Sequence, residues 1–379
     1  MSAKKPKVIC AMSGGLDSSV AAALLKRSGF ALRQTQGNPE RSRRVDVIGV
    51  FMKFWAESDK NDSIGSKNRC CSPEAELRAR KVAKILKIPF YVFDFSKEFK
   101  KKIVDYFLKE LKKGNTPNPC VVCNKEIKFG LLLEKALSLG ADFVATGHYA
   151  RIKRIRNKEL GIREFKLLRA KDKEKDQSYF LWMLNQKQLR RILFPIGDYT
   201  RKEVENLAKK FKLPLLRAKK SVEICFIKTT LDDFLRKYLK EKPGKIIDTQ
   251  GKVLGEHRGL WFYTIGQRKG IELAGGPYWV LDKNVKENTL IVTKNEKDLF
   301  KKELICKNVN WISGKEPKLP LKIQAKIRYR HQLTWAVSYK LKAKSYKLVF
   351  EKPQRAITPG QSIVFYKGQE VLGGGIIVK

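Results

Sequence analysis

The feature that most restricts this chain is a short turn near its start. Ser13-Gly14-Gly15-Leu16-Asp17-Ser18-Ser19 follows the apolar run Val8 to Met12 and opens the helical pattern Ser18 to Lys26. A strand that breaks on paired glycines and restarts as a helix aims backbone N–H groups and the positive helix end at one point, an arrangement suited to phosphate. The hydroxyls of Ser13, Ser18 and Ser19 add donors, and Asp17 either holds Mg²⁺ against the phosphates or caps the helix. A ligand-free glycine turn with a Ser/Asp cap is the plainer alternative. No lysine follows Gly15 at the GxxxxGK[ST] spacing and no GxGxxG occurs at this turn, so the two commonest phosphate signatures are excluded.

Such a turn belongs in an α/β fold, and the pattern downstream agrees. Val47 to Phe54, Phe90 to Phe95 and Phe143 to Thr146 read as strands. Pro73 to Leu86 reads as a helix with proline in its first turn, followed by helical stretches Phe99 to Leu111 and Lys125 to Leu139. That alternation predicts a parallel sheet with helices on both faces. A basic, hairpin-like stretch runs from Arg151 to Arg169, and helices return at Gln186 to Arg191, Arg201 to Phe211 and Leu231 to Leu239. A Gly-rich region from Gly244 to Gly276 predicts a small mixed domain. Six successive strand patterns between Leu304 and Val378 predict a C-terminal antiparallel β-barrel. The expected units are 1–208, 209–285 (with Cys225 on its leading loop) and 286–379. The polar, basic stretch Arg33 to Arg44 reads as a solvated surface insertion.

With 81 Lys and Arg against 38 Asp and Glu, the net charge of +43 calls for a polyanionic partner, while 42% hydrophobic residues exclude charge-driven disorder. No apolar run approaches the roughly 20 residues that span a bilayer, and the start lacks a secretory pattern, so a cytoplasmic protein that does not engage a membrane is expected.

Seven cysteines in a reducing compartment point to redox, metal or nucleophile chemistry rather than a disulfide scaffold. Asn118-Pro119-Cys120-Val121-Val122-Cys123-Asn124-Lys125 runs into a helical pattern, where Cys123 at a helix start beside Lys125 and Lys128 is expected to favour thiolate. Cys225 stands alone in the apolar segment Ile224-Cys225-Phe226. One thiol can carry sulfur as a persulfide while another attacks its inner sulfur, releasing the outer atom and leaving a protein disulfide. Cys120, Cys123 and Cys225 can alternatively ligate a 4Fe-4S cluster or Zn²⁺ if the fold gathers them. Cys70-Cys71 reads as a pair of structural loop cysteines.

The glycine turn resembles that of the adenylating ATP pyrophosphatases. The resemblance narrows when Asn118 to Phe129, Ala145-Thr146-Gly147-His148-Tyr149-Ala150, Asp176 to Leu181, Ile224 to Ile227, Phe262 to Gly270, Ala325 to Arg330 and Arg355 to Gly360 are added. Together they are similar to the tRNA-specific 2-thiouridylase family (MnmA/TrmU). The resemblance implies ATP- and Mg²⁺-dependent adenylation of O2 of a wobble uridine, then sulfur transfer to C2. It implies Met12, Ser13, Gly14, Gly15, Asp17, Ser18, Ser19 and Gly147 around the nucleotide, persulfide on Cys225, release through Cys123, a persulfide or sulfide donor protein, and a monomer when free of tRNA. Much of the family has aspartate, proposed to assist proton transfer, where this chain has Cys120.

Basic residues that can face RNA are Lys125, Lys128, Arg151, Lys153, Arg268, Lys269, Arg328, Arg330 and Arg355. His148, Gln177 and Ser178 are polar pocket candidates without an assigned step. Trp261, Phe262 and Tyr263 read as core of the small middle domain in preference to RNA-stacking side chains. Two other functions fit parts of the pattern: a small-molecule adenylating amidotransferase or ligase leaves the separated cysteines unexplained, and an inactive RNA-binding protein leaves the phosphate turn unexplained.

Overall fold

The computed structural model describes residues 5–28, 45–57, 71–156, 163–214 and 224–378. The basic stretch 33–44, Cys70 and residues 221–223 lie outside them. The first unit is built on five short strands, β1 (Lys7–Ala11), β2 (Asp46–Lys53), β3 (Phe90–Asp94), β4 (Phe143–Ala145) and β7 (Ile192–Leu193), all parallel in the order β3-β2-β1-β4-β7. The apolar runs of β1 and β4 at the centre follow from burial on both faces, whereas edge strand β3 leaves Tyr91 and Asp94 exposed. Right-handed crossovers put α1 (Leu16–Ser28) and α2 (Pro73–Leu86) on one face and the helices between β3 and β4 on the other. Strand order reverses at β1, so the crevice beyond the carboxyl ends of β1 and β4 is the topological switch point where such sheets bind ligands.

Local chemistry sets the helix ends. In α2 the Ser72 hydroxyl accepts from Ala75 N and Pro73 takes the first helical position. Two long helices follow β3, α3 over 96–112 and α4 over 119–138, and each contains a π-helical turn, at Lys100–Val104 and Asn124–Leu131. Beyond β7, α6 (Arg201–Lys210, after the short α5, Gln186–Leu189) starts on a Thr200/Glu203 capping box. A second capping box, Thr230/Asp233, starts α7 (Leu231–Tyr238).

A four-stranded mixed sheet follows, ordered β10 (Trp279–Asn284), β11 (Thr289–Thr293), β8 (Gly244–Ile247), β9 (Val253–His257), with its own core of Ile246, Leu260, Tyr263, Ile271, Val280, Leu290 and Val292. Tyr263 is buried there and Phe262 packs against that core and against the core of the first unit, whereas Trp261 packs against the core of the first unit. The reading of these three as core of the small middle domain therefore holds for Tyr263 and in part for Phe262, while Trp261 turns to the neighbouring unit.

The last six strands, β12 (Phe300–Trp311), β13 (Leu321–Lys326), β14 (Thr334–Lys342), β15 (Ser345–Arg355), β16 (Ser362–Lys367) and β17 (Glu370–Ile377), are antiparallel, and β12 pairs with both β15 and β17 to close a barrel. The basic stretch after Tyr149 is the hairpin β5 (Ala150–Arg156) and β6 (Arg163–Arg169). It joins the barrel through Leu167 opposite Val371 and Leu168 opposite Glu370, reinforced by Lys166–Glu370 at 2.7 Å. Part of its charge is therefore spent on holding two units together. Among the described residues no helix is long and apolar enough to cross a membrane.

Candidate active site

The glycine turn lies at the switch point. Gly14 adopts φ +71°, and a Cβ there would stand 2.1 Å from the Ala75 carbonyl oxygen, so α2 presses against the turn and only glycine fits. Arg78 of the same helix donates from Nε to the Gly14 carbonyl at 3.2 Å. The loop also ties itself together: Ser13 N donates to Ser18 Oγ (3.1 Å), and the Ser18 and Ser19 hydroxyls donate to the Gly15 carbonyl (3.0 and 2.9 Å). These two hydroxyls brace the turn in this conformation. The donors left for an anion are the first N–H groups of α1, which have no intrahelical acceptor. Met12 is 1% exposed and its N–H donates to Val50 O, so its side chain belongs to the core and only its backbone borders the cradle.

From β4 the chain enters Thr146-Gly147-His148-Tyr149. A Cβ on Gly147 would lie 2.6 Å from Ser18 N and 2.7 Å from Asp17 C, so this glycine lets β4 close on the start of α1. Asp17 is held on Oδ1 by the Tyr149 hydroxyl (3.1 Å) and by Arg201 Nη1 (2.8 Å). Arg201, first residue of α6, also donates from Nε to Glu205 (2.7 Å) and from its backbone to Asp172 (2.9 Å). Burial raises the Asp17 carboxyl above its usual range, while Arg201 and the Tyr149 hydroxyl pull it down. One carboxylate in a loop of N–H donors fits Mg²⁺, which takes most of its ligands from phosphate and water.

His148 is buried, with Nδ1 2.6 Å from the Thr146 hydroxyl and its ring in a three-way contact with Phe129 and Phe194, which also touch each other. Burial, with Lys128 nearby, drives its pKa well below 6.5, so the ring is neutral. Gln177 Oε1 accepts from Tyr149 N. Ser178 donates its N–H and hydroxyl to buried Asp176, which also takes Arg169, so Ser178 is a framework residue.

The thiols require one correction. The helix begins at Pro119, capped by Asn118 Oδ1, which accepts from Cys120 N (3.2 Å) and Val121 N (3.4 Å). Half-buried Cys120, not Cys123, therefore occupies the first turn where the helix dipole acts; Cys123 lies farther along and is 7% exposed. Cys123 belongs to the core cluster of the first unit, and Ile224 and Cys225 pack against that same cluster. Phe226, next to Cys225, stands edge-on to Phe99 and Phe107 of α3, and the helix start that carries Cys120 and Cys123 packs on the Lys100–Val104 turn between them. Both thiol segments thus flank α3. On the other side, Asn124 donates to Phe180 O, and Phe129 faces His148, which ties α4 to the wall of the cradle.

Among the described residues no group of three or more His, Cys, Asp or Glu side chains is arranged to hold a metal ion. Cys71 is buried and hydrogen-bonded through sulfur to the Phe54 backbone.

Of the basic candidates, Lys153, Arg268, Lys269 and Arg330 are exposed; Lys125, Lys128, Arg151, Arg328 and Arg355 are half-buried. Arg151 donates to Arg169 O at 2.7 Å and Arg355 pairs with Glu296 at 2.8 Å, while Arg268 lies over the Trp279 ring. Sequence reasoning missed Arg201, Tyr149 and Arg78. Only the capping box at Thr200 marks the Arg201 region locally.

Family profiles described as "tRNA methyl transferase HUP domain", "tRNA methyl transferase PRC-barrel domain" and "Aminomethyltransferase beta-barrel domain" match residues 6–229, 232–294 and 301–377. The chain is 44% identical over 377 residues, 98% of each chain, to the "tRNA-specific 2-thiouridylase MnmA" of Clostridioides difficile (strain 630). It is equally similar, at 44% over 383 residues and 99% and 98% of the two chains, to the protein of that name from Carboxydothermus hydrogenoformans.

Proposed function

The chain belongs to the tRNA-specific 2-thiouridylase family, and from that premise we propose which of its residues carry each part of the work. It is a tRNA-uridine 2-sulfurtransferase: using ATP, it adenylates O2 of the wobble uridine and transfers persulfide sulfur to C2. ATP with Mg²⁺ supplies an AMP leaving group in place of a poor oxygen leaving group. The turn at Gly14 and Gly15 lets the first backbone N–H groups of α1 approach the phosphates, and the start of α1 adds its partial positive charge. Asp17 holds the metal ion. Arg201 keeps Asp17 ionised and oriented, its guanidinium 2.8 Å from that carboxylate. Neutral, buried His148 shapes the wall and carries no charge into it.

Cys225 carries the persulfide. Its outer sulfur bonds to C2 as the C2–O bond to AMP breaks, and the Cys123 thiolate takes the inner sulfur, leaving a Cys123–Cys225 disulfide that a reductant must reopen before the next turnover. A persulfide donor protein loads Cys225, and the enzyme acts as a monomer until tRNA binds. Lys153, Arg268, Lys269 and Arg330, with half-buried Lys125, Lys128, Arg151, Arg328 and Arg355, neutralise phosphates of the RNA.

The observation that carries this reading is the convergence on α3 of two thiol segments about a hundred residues apart, one of them tied through α4 to the wall of the phosphate cradle. The test is incubation with unmodified tRNA, ATP, Mg²⁺ and a persulfide sulfur donor, followed by nucleoside mass spectrometry. 2-Thiouridine with release of AMP and pyrophosphate is expected; ATP cleavage that proceeds without tRNA and yields no thionucleoside would return the small-molecule ligase reading.

A further inference from the structure

The loop before the cysteine helix is held by all three units, and most of that contact falls on Thr116. Its N–H donates to Pro359 O at 2.8 Å and its carbonyl accepts from Gln361 Nε2 at 2.9 Å, so the barrel clamps the backbone from both sides. Its hydroxyl lies 3.4 Å from the Thr264 hydroxyl in the middle unit. Lys283 of the middle unit donates to the Gly114 carbonyl at 3.2 Å, and a Cβ on Gly360 would come within 2.9 Å of Thr116 N, so the barrel packs directly on this loop.

Both ends of this contact lead somewhere. Toward the RNA-facing surface, Thr264 N donates to Gln267 Oε1, Gln267 N donates back to Thr264 O, and Gln267 Nε2 donates to Lys269 O. Thr264 is thus part of the turn that displays Arg268 and Lys269, and the same turn packs at Gly266 against Ala356 beside Arg355. Toward the chemistry, Thr116 is two residues from Asn118, whose side chain caps the helix bearing Cys120 and Cys123.

We infer that Thr116 is a positioning residue: RNA seated on the 264–270 turn and the barrel sets the start of the cysteine helix through the Thr264–Thr116 contact. This rests on the tRNA-thiolation reading. The Thr264–Thr116 contact is the side-chain link from this turn into the loop, beside the barrel's two backbone hydrogen bonds to Thr116 and that of Lys283 to Gly114, so removing the Thr116 hydroxyl leaves the RNA surface, the nucleotide cradle and the backbone clamp in place while cutting the turn's own link to the cysteine helix.

The test compares wild type, Thr116→Val, Thr116→Ser, Thr264→Val and the double valine variant in three measurements: affinity for unmodified tRNA, single-turnover formation of 2-thiouridine, and iodoacetamide labelling of Cys120 and Cys123 with and without that tRNA. Thr116→Val is expected to bind tRNA within about twofold of wild type, to thiolate about fivefold more slowly, the size of one lost neutral hydrogen bond, and to lose the change in labelling that tRNA causes in wild type. Thr116→Ser restores both, and the double variant is no slower than either single one because all remove the same contact. Labelling that still responds to tRNA in Thr116→Val, or rate losses that multiply in the double variant, overturns the inference and leaves the thiolation reading standing. If Thr116→Val does not fold, Thr264→Val decides by the same criteria. A wild-type enzyme that forms no 2-thiouridine refutes the thiolation reading and the relay with it.

Discussion

Arg201 Nη1 lies 2.8 Å from Asp17 Oδ1, joining the start of α6 to the phosphate turn across 184 residues of sequence. Arg201 is one of the influences that hold the Asp17 carboxyl down against burial, which pushes it up. Replacing Arg201 with Ala therefore raises the pKa of Asp17 further. Activity that needs ionised Asp17 is lost as pH falls through that pKa, so the acid limb of kcat/KM for ATP moves to higher pH in the variant. At neutral pH a fall of about tenfold in kcat/KM is expected, with Arg201→Lys recovering part of it but lacking the fork that also engages Glu205. Steady-state pH profiles of the three proteins check this, and an unmoved acid limb contradicts the role given to Arg201.

Gly147 touches the first turn of α1 so closely that an added methyl group has no room. Gly147→Ala is expected to cost about 1–3 kcal/mol of stability, as overpacking does, and to weaken ATP binding more than tRNA binding because the displaced atoms belong to Asp17 and Ser18. Thermal unfolding together with calorimetric titration of ATP and of tRNA separates the two effects.

The His148 ring stays neutral in the fold because of burial and the positive charge of Lys128, whereas in the unfolded chain it titrates near 6.5. The unfolded state therefore binds more protons below that pH, and stability falls as pH drops through about 6.5. His148→Gln is expected to flatten this slope between pH 7 and pH 5 even if its stability at neutral pH is lower. Urea unfolding across that pH range measures it, and parallel slopes would assign the acid sensitivity elsewhere.

Cys225→Ser is expected to leave tRNA-dependent AMP formation in place and abolish 2-thiouridine. Cys123→Ser should stop multiple turnover at one thiolated tRNA per enzyme or fewer. Quench-flow counts of AMP, pyrophosphate and 2-thiouridine per active site distinguish the two defects. Wild-type thiolation by Cys225→Ser contradicts the assignment of the persulfide.

Much of the first unit was legible because central strands leave unbroken apolar runs, as at Val8 to Met12 and Val47 to Met52, and because Pro73 after Ser72 marks a helix start. The same signal stood at Asn118-Pro119 and would have placed Cys120 in the first turn. The sequence reading instead began that helical stretch at Lys125, which put Cys123 at its start. The attachment of β6 to β17 was not legible, since the pairing of Leu168 with Glu370 is decided by how two units dock. Arg201 was hidden for a related reason: its neighbours in sequence describe only a capped helix, and its partner lies in the first turn of α1. The meeting of the Cys123 and Cys225 segments rests on Phe99, Phe107 and Phe226, aromatic residues that read locally as ordinary core.

The central claim is that the sulfur leaves Cys225 as Cys123 closes on it. A single turnover with persulfide-loaded enzyme, ATP, Mg²⁺ and unmodified tRNA, carried out without reductant and read by peptide mass spectrometry, tests it directly. A Cys123–Cys225 crosslinked peptide should accumulate mole for mole with 2-thiouridine. Full formation of 2-thiouridine while Cys123 remains a thiol, or while Cys225 is crosslinked to Cys120 instead, would contradict it.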